Sequence, residues 1–502
     1  MRYGAVATLA CALLAACAVG PDYHRPALAV PEAYRDVAPA PGATPQGSAS
    51  AGDLGWWEVY SDTDLQELIK AALRNNPDVL TAVARIDEAQ AVLGSTRLNY
   101  FPQLSADASV ARAKTSLYAT PAGAPRINNA AQVQIQASYQ LDLWGQLRRL
   151  NEAARANLLG SEYGKRAVDV TIVSQVASAY YQLVSLDSQL EITRRTIIAR
   201  EKFLELTHAQ HERGYATGLD VATAEAQLAT ARANYPDLER QITQTEDLIS
   251  VLLGRNPGPI IRAHFGESIP EAPPRPPPGL PAQLLERRPD VAAAEQTLVA
   301  ANAEVGVAKA ALFPNITLTG SAGSLSVPLG HLFTSGAAAW SVGASLVQPL
   351  LSVQSNLYQL EAADARKREA LNQYQKSVLT AFQDVADALV AYQKYGDVER
   401  QLETEVKALR RAREIADARY RIGYASYFDV INADRDLFVA ELALAQTYTN
   451  SWDSLVRLYA SLGGGWQQAP AAAAQPEGNS NSEEPGRSSD AVQLDRGALQ
   501  VR

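Results

Sequence analysis

The sequence predicts a mixed fold built by three chains together. Four β-strands per chain would close, in a homotrimer, into a 12-stranded transmembrane β-barrel that continues as a long periplasmic α-helical coiled-coil barrel. Three observations predict this fold: the chain is internally duplicated, two proline-free stretches suit very long helices, and short segments alternate apolar and polar residues. Together they indicate a tube that crosses a membrane and extends far beyond it.

The composition indicates a globular chain with an acidic balance. Of the 502 residues, 47% are apolar and 20% are charged, and the formal net charge is −9. This balance excludes the basic footprint that nucleic-acid-binding domains carry, so no nucleic-acid partner is expected. The abundant alanine favours long helices.

The first residues are typical of a bacterial lipoprotein signal. Arg2 precedes a short apolar run, and Leu14-Ala15-Ala16-Cys17 fits a lipobox. A run this short is a signal core, not a membrane span. We expect cleavage after residue 16 and a covalent lipid on Cys17, the alternative being an ordinary secretory signal that contains a cysteine. Ala18 is not the aspartate that retains lipoproteins at the inner membrane, which favours the outer membrane.

The mature chain offers little sulfur chemistry. Cys11 lies inside the signal, so Cys17 would be the only cysteine left after cleavage, and it would carry the lipid. Cysteine catalysis and cysteine-bound metal are therefore excluded. We expect no cofactor apart from the lipid.

The chain repeats itself once. "GYATGLDV" at 214–221 matches "GYASYFDV" at 423–430 with an offset of 209, and "NNPDV" at 75–79 matches "RRPDV" at 287–291. Prolines forbid a helix between the two copies. The predicted divisions are a signal (1–16), an extended N-terminal segment (17–61), a first repeat (62–268), a proline-rich connector (269–281), a second repeat (282–465) and a disordered tail (466–502).

Each repeat contains one very long helix. Segments 145–213 and 351–422 have no helix breaker, and in the second the apolar residues recur every three, four or seven positions. At the rise of an α-helix each segment would extend about 100 Å. Helices this long are typical of coiled coils or helical tubes. A coiled-coil rod without a membrane domain is the alternative.

Four segments have the pattern of membrane strands. "VQIQASYQLDL" at 133–143 alternates apolar and polar residues strictly, and its partner is expected at about 103–117. The second repeat offers 315–323 and 339–347, where Trp340 suits an interfacial aromatic belt. A half-buried soluble strand also alternates. Four strands cannot close a barrel, whereas three copies supply twelve.

The chain resembles the TolC-type outer-membrane efflux factors, in their OprM- and NodT-like lipoprotein branch. "CAVGPDYHRP" at 17–26 and "LLERRPDVAAAEQTLVAANAEVGVAKAALFPNI" at 284–316 carry the resemblance, which covers about 17–465. It implies a trimeric channel in the outer membrane, anchored by lipid, with a periplasmic helical tunnel. It also implies a periplasmic adaptor (membrane fusion) protein and an inner-membrane transporter of RND type as partners.

The function that the resemblance implies is a passive exit duct, not an enzyme. The duct would conduct small molecules such as drugs to the outside. Two alternatives remain: a duct of the same shape for type I protein secretion, and a periplasmic coiled-coil scaffold without a pore. The substrate cannot be predicted, because in such systems the transporter selects it.

The two repeated turns are predicted to be the hairpin tips at the periplasmic end. Glycine permits the left-handed turn that ends a helix, and the aspartate that follows suits the start of the next helix. Both tips are expected to dock the adaptor, the first through Gly214, Tyr215, Ala216, Thr217 and Gly218, and the second through Gly423, Tyr424, Ala425 and Ser426.

The second turn is also the predicted gate. In the family, a tyrosine and acidic residues there line the closed aperture, and Tyr420 and Asp429 match them. Asn432 stands where many relatives have a second aspartate, and Ala425 where some have an arginine that locks the closed state. The alternative for Asp429, as for Asp220 of the first turn, is a helix cap.

Three weaker patterns are interpreted without a function. His208 and His211 lie one helical turn apart, which permits a metal site, but no nearby cysteine completes it. The pairs Asp384/Asp387 and Asp434/Asp436 are assigned to solvated helix faces or lumen charge instead of acid–base chemistry. Arg288-Pro289-Asp290 indicates a helix start.

Overall fold

The computed structural model describes residues 18–31, 54–119, 121, 123, 125–262 and 281–464. Four of the predicted features lie outside these residues: the signal 1–16, the lipid site Cys17, the connector up to residue 280 and the tail 466–502. None of the helices in the described ranges combines the length and the apolar run needed to cross a bilayer.

Both repeats follow the same order of elements. The helical turn α1 (Trp56–Val59) precedes the first repeat, whose elements are α2 (Thr63–Asn75), α3 (Pro77–Leu98), β1 (Gln103–Lys114), β2 (Ile127–Leu141), α4 (Gln146–Glu212) and α5 (Gly218–Leu252). In the second they are α6 (Pro281–Arg287), α7 (Pro289–Ala310), β3 (Asn315–Ser326), β4 (Ala338–Val347), α8 (Val353–Arg421) and α9 (Tyr427–Ser461).

The long helices agree with the prediction to within two residues at each end. α4 has 67 residues and α8 has 69, so each is about 100 Å long. The predicted apolar stripe of α8 is buried at Tyr374, Val378, Val385 and Leu389, whereas Leu357, nearer the strands, is exposed. α9 packs along both α8 and α4, so the second hairpin lies against the first.

The extended N-terminal segment is only partly as predicted. Residues 18–31 have no regular structure and lie across the helices: the Val19 N–H donates to the Trp144 carbonyl, and Arg149 pairs with Asp22 at 2.6 Å. Residues 56–59, however, form the helical turn α1. Trp56 is buried there, and the Tyr60 N–H donates to its carbonyl, so apolar burial favours a turn over an extended chain.

The four strands form one antiparallel sheet in the order β1-β2-β3-β4. β2 pairs with β3 although α4 and α5 separate them in sequence, so both repeats contribute to the same sheet. Among the residues that the structure describes, no strand pairs with the outer edge of β1 or of β4. One face carries Val110, Val133, Ile135 and Val342, and the other carries mostly serine, threonine and glutamine.

The prediction for β2 was wrong at both ends. The strand runs from Ile127 to Leu141, six residues earlier than expected at its start, and Leu143 is not part of it. The strand stops because the Asp142 carboxylate accepts hydrogen bonds from the Leu147 and Arg148 amides, which begin α4. An N-terminal cap of the long helix thus ends the strand.

The predicted helix start at Arg288 is confirmed. Pro289 occupies the first position of α7 and Asp290 lies in its first turn, where an acidic residue favours the helix. Arg288 is itself buried and pairs with Asp290 at 2.7 Å and with Asp384 at 2.9 Å. Asp384 therefore forms an ion pair that the sequence did not reveal, although its side chain is still 43% exposed.

Candidate functional site: the two hairpin tips and the contact between them

The two hairpin tips share one backbone geometry. Gly214 and Gly423 have φ angles of 78° and 79°, the left-handed region that only glycine adopts freely. The next N–H in each tip reaches back five residues, from Tyr215 to the Gln210 carbonyl and from Tyr424 to the Arg419 carbonyl, each at 2.8 Å. Each long helix therefore ends in a glycine cap that satisfies its last carbonyls.

The returning helices begin with matching capping boxes. In the first tip, Asp220 Oδ2 accepts from the Thr217 amide at 2.7 Å and from its hydroxyl at 2.8 Å. In the second, Asp429 Oδ2 accepts from the Ser426 amide at 3.0 Å and from its hydroxyl at 2.9 Å. Both aspartates thus cap their helices, which is the alternative that the sequence left open for each of them.

The tips differ at the first residue of the returning helix. The first tip has Gly218, which is exposed, whereas the second has Tyr427, which is 7% exposed. The Tyr427 ring stacks on Phe203 of α4 with centroids 4.9 Å apart. An aromatic contact therefore fixes the second hairpin to the first. The first tip cannot make the same contact, because it has glycine at the equivalent position.

Tyr420 completes this aromatic cluster. Its ring lies 5.9 Å from Phe203 and 6.0 Å from Tyr427, and its hydroxyl donates to the Gln210 side-chain oxygen. Burial, and then the charge of Asp220, raise the pKa of Tyr420 above its ordinary value. The carboxylate that acts on Tyr420 within the chain thus belongs to the first tip.

Further along α9 from the aromatic cluster, one carboxylate forms ion pairs with two arginines. Asp434 accepts from Arg200 of α4 at 2.9 Å and from Arg413 of α8 at 3.2 Å. Arg200 is 6% exposed and also lies over the Phe438 ring, at 5.1 Å from its centroid. This contact ties three helices together.

A second shared carboxylate lies seven residues further along α9. Glu441, which is 4% exposed, accepts from Arg195 of α4 at 2.6 Å and from Arg410 of α8 at 2.8 Å. The spacing of seven puts Tyr427, Asp434 and Glu441 on one face of α9. The contact between the hairpins therefore consists of one aromatic layer and two arginine–carboxylate layers.

Sequence reasoning missed these layers. Asp434 was assigned to a solvated face together with Asp436, but only Asp436 is exposed, paired with its neighbour Arg435 at 2.9 Å. The heptad spacing from Asp434 to Glu441 was the available signal. The arginine partners, more than 200 residues away on α4, could not be assigned from one sequence.

The hairpin contact leaves little space for a ligand. The cavity beside Arg200, Phe203 and Tyr427 has a volume of about 40 Å³, enough for one or two waters but not for a substrate. In the described part of the chain, no three His, Cys, Asp or Glu side chains lie close enough to hold a metal ion. His211 Nδ1 instead lies 2.9 Å from the Ala216 carbonyl, and His208 lies 3.8 Å from Glu225.

The structure places the remaining predicted gate residue on α9. Asn432 follows Asp429 by one helical turn and is half-buried. Tyr215 and Tyr424 point outward from the tips and are 83% and 76% exposed. Within one chain, then, Tyr420 joins the hairpin contact, whereas Asp429 and both tips lie at the end of the helices.

Comparison with known proteins gives a consistent result. The model of the outer membrane efflux protein family matches residues 68–255 and 280–464. The chain is 34% identical to the probable efflux pump outer membrane protein TtgC of Pseudomonas putida KT2440, over 91% of this chain and 94% of TtgC. It is 33% identical to the outer membrane protein OprJ of Pseudomonas aeruginosa, over 93% and 96% of the two chains.

A solved structure shows the same fold. The outer-membrane channel OprN superposes with a TM-score of 0.83 at 30% identity, covering 90% of this chain and all of the OprN chain.

Proposed function

The chain belongs to the outer membrane efflux protein family, and we propose that it is the passive exit duct of a tripartite efflux pump. It would carry small molecules such as drugs from a periplasmic adaptor and an inner-membrane transporter of RND type to the outside. The names of TtgC, an efflux pump protein, and OprN, a channel, support this proposal. The transporter would supply the energy, and the duct would carry out no chemistry.

The observation that carries the proposal is a sheet that one chain cannot complete. β1 and β4 both expose an unpaired edge along their whole length. An exposed edge of this length readily pairs with another chain. Three copies would supply twelve strands and close a barrel with no free edge. The same threefold arrangement would bring the long helices into a tunnel.

We assign the gate to Tyr420, Asp429 and Asn432. Both cap bonds of Asp429 end on Oδ2, so Oδ1 takes no part in them. In the proposed trimer, Oδ1 would face the axis. Three such carboxylates would form a ring that favours cations, a common selectivity device in channels. The shared carboxylates Asp434 and Glu441 would hold the gate-bearing hairpin against α4.

We assign adaptor docking to the two tips, 214–218 and 423–426. Their exposure and their position at the far end of the tall hairpins support this role. In a trimer, the duplication would present six tips of one backbone geometry. An adaptor with repeated contacts could then use the same recognition at all of them.

We also propose that Cys17 carries the lipid. The N–H of Val19, two residues after Cys17, donates to the Trp144 carbonyl just before α4 begins. A lipid on residue 17 would therefore enter the membrane beside the strand ends. Mass spectrometry of the purified protein tests this: an N-terminal residue 17 that carries a covalent lipid is expected, and an unmodified one would contradict the assignment.

Planar-bilayer recording of the purified protein tests the duct. Trimers with a stable, cation-selective conductance are expected. Absence of any conductance would favour a scaffold and would refute the duct. Deletion of the gene together with drug-susceptibility assays separates the two duct functions: increased susceptibility supports small-molecule efflux, whereas loss of one secreted protein without a change in susceptibility would indicate type I secretion.

A further inference from the structure

Charged residues are distributed unevenly over the strand region. Apart from Asp107, it contains no aspartate or glutamate: none occurs from residue 108 to 141 or from 305 to 360. The whole chain nevertheless has a net charge of −9. The cations of this region therefore have almost no internal counterions.

Two of these cations lie on the apolar face of the sheet. Arg112 and Lys114 follow Val110 at alternate positions of β1, and they pair in register with Asn129 and Ile127 of β2. Side chains at alternate positions of a strand share one face. The same face carries Val133, Ile135 and Val342, so in the proposed barrel it is the face that contacts lipid.

These cations are also at one end of the strands. β1 leaves the helical region at Gln103 and ends at Lys114, so Arg112 and Lys114 both lie within its last three positions, far from the helices. A membrane strand needs about 9–11 residues, which puts the end of β1 at the outer interface. Charged side chains cost little there, in contrast to the bilayer centre.

We propose that Arg112 and Lys114 form a girdle that binds phosphate-bearing lipid of the outer leaflet. This inference rests on the proposed function, which sets the orientation of the sheet. A trimer would present six such cations above the apolar band. Trp340, 79% exposed on the same face and near the same end of β4, suits the interface between headgroup and acyl chains.

A matched control lies beside the girdle. Arg126 precedes β2, and its carbonyl accepts from the Thr115 amide at 2.8 Å, one step beyond the Lys114–Ile127 pair. By strand parity Arg126 belongs to the opposite face, which lines the lumen. It has the same charge at the same end, so it separates lipid contact from a general effect of positive charge.

The test uses purified full-length trimers and lipid A as the probe. Retention of lipid A is measured by native mass spectrometry, with phosphatidylcholine and inorganic phosphate as competitors. R112Q/K114Q should retain lipid A roughly twentyfold less well, because each cation near an anionic surface contributes about fivefold. R126Q and the charge-conserving R112K/K114R should retain lipid A as the unmodified protein does.

The other outcomes would overturn the girdle. Equal retention by R112Q/K114Q, an equal loss in R126Q, or displacement of lipid A by inorganic phosphate would each contradict a lipid-specific site. A change in ion selectivity of R112Q/K114Q without a change in lipid retention would place the cations in the lumen. Conductance in phosphatidylcholine bilayers, measured for all variants, tests the duct independently. Absence of conductance in the unmodified protein would refute the duct and not the girdle.

Discussion

The two hairpin tips have the same turn but different surroundings. Gly214 and Gly423 adopt the same backbone conformation, and Asp220 and Asp429 make the same capping box. The difference begins at the next helix, where the second tip has the buried Tyr427 in place of an exposed glycine. The second hairpin is thereby bound to α4, whereas the first tip contributes no such residue.

Forming the turn and fixing the hairpin against its neighbour depend on different residues. Turn formation depends on a few local hydrogen bonds, so a duplicated sequence reproduces it. Hairpin contact depends on residues from distant helices, so it can diverge between the copies. Asp434, shared by two arginines, corresponds by the offset of 209 to Glu225, which is exposed and lies 3.8 Å from His208. A gate in the second hairpin would therefore depend on these contacts and not on the turn alone.

The largest expected difference between the copies is at these two acidic positions. Asp434→Asn should destabilise the trimer by about 2–3 kcal/mol, somewhat less than for a fully buried pair because Arg413 is partly exposed. The reason is that the substitution leaves Arg200, at 6% exposure, without its counterion. Thermal unfolding followed by circular dichroism measures the loss.

Glu225→Gln is the control for Asp434→Asn. It removes one exposed carboxylate at the equivalent position of the first hairpin, and we expect a change below about 0.5 kcal/mol. If both variants unfolded at the same temperature, the proposal that Asp434 fixes the second hairpin against α4 would be wrong.

The glycines of the two turns should behave alike. Gly214→Val and Gly423→Val each force a β-branched residue into the left-handed region, at a cost of about 1–2 kcal/mol. No other atom lies within 4 Å of an added Cβ at either position, so strain and not collision sets the cost. Both variants should still form trimers in heat-resistance assays on gels.

The glycine variants also test docking. Because both tips are assigned to the adaptor, both variants should lose drug resistance and crosslinking to the adaptor while they remain trimeric. Gly94→Val on α3, where an added Cβ likewise meets nothing within 4 Å, controls for bulk away from the tips. Full resistance in both tip variants would rule out the docking assignment.

The capping aspartates should be alike in stability but not in conductance. Asp429→Asn and Asp220→Asn each weaken one cap, with an expected cost of at most about 1 kcal/mol. Only Asp429→Asn should remove most of the cation selectivity and divalent block in single-channel recordings. If the two variants changed selectivity equally, the gate would not belong to the second turn.

The last comparison concerns Tyr420 and Tyr424, two tyrosines of the second hairpin. Tyr420→Phe removes the hydrogen bond to Gln210 and should cost about 0.5–1.5 kcal/mol. The pKa of Tyr420 is raised in the folded state, so its contribution is present below about pH 10 and is lost as the pH rises through the folded value. The variant should therefore lose stability less steeply above pH 10 in alkaline unfolding. Tyr424→Phe, on the exposed tip, should change neither stability nor its pH dependence.

Local patterns in the sequence predicted most of the elements. The lengths of α4 and α8, the two glycine turns and the start of α7 follow from proline positions, glycine and capping residues, which act within a few neighbours. The predictions were wrong where a contact outside the local pattern favoured one of two possible local conformations. Trp56 forms a helical turn because its side chain is buried, and Leu143 leaves β2 because Asp142 caps α4.

The duplication, the long helices and the turns could be predicted from the sequence, because these depend on residues close together in the chain. Which acidic residues are paired could be seen only in the folded chain. Asp434 and Asp436 are two positions apart on one helix, yet one binds Arg200 and Arg413 and the other is exposed. The electrostatic free energy of a carboxylate depends on the distance to its partners and on burial. Both depend on how α9 packs against α4 and α8.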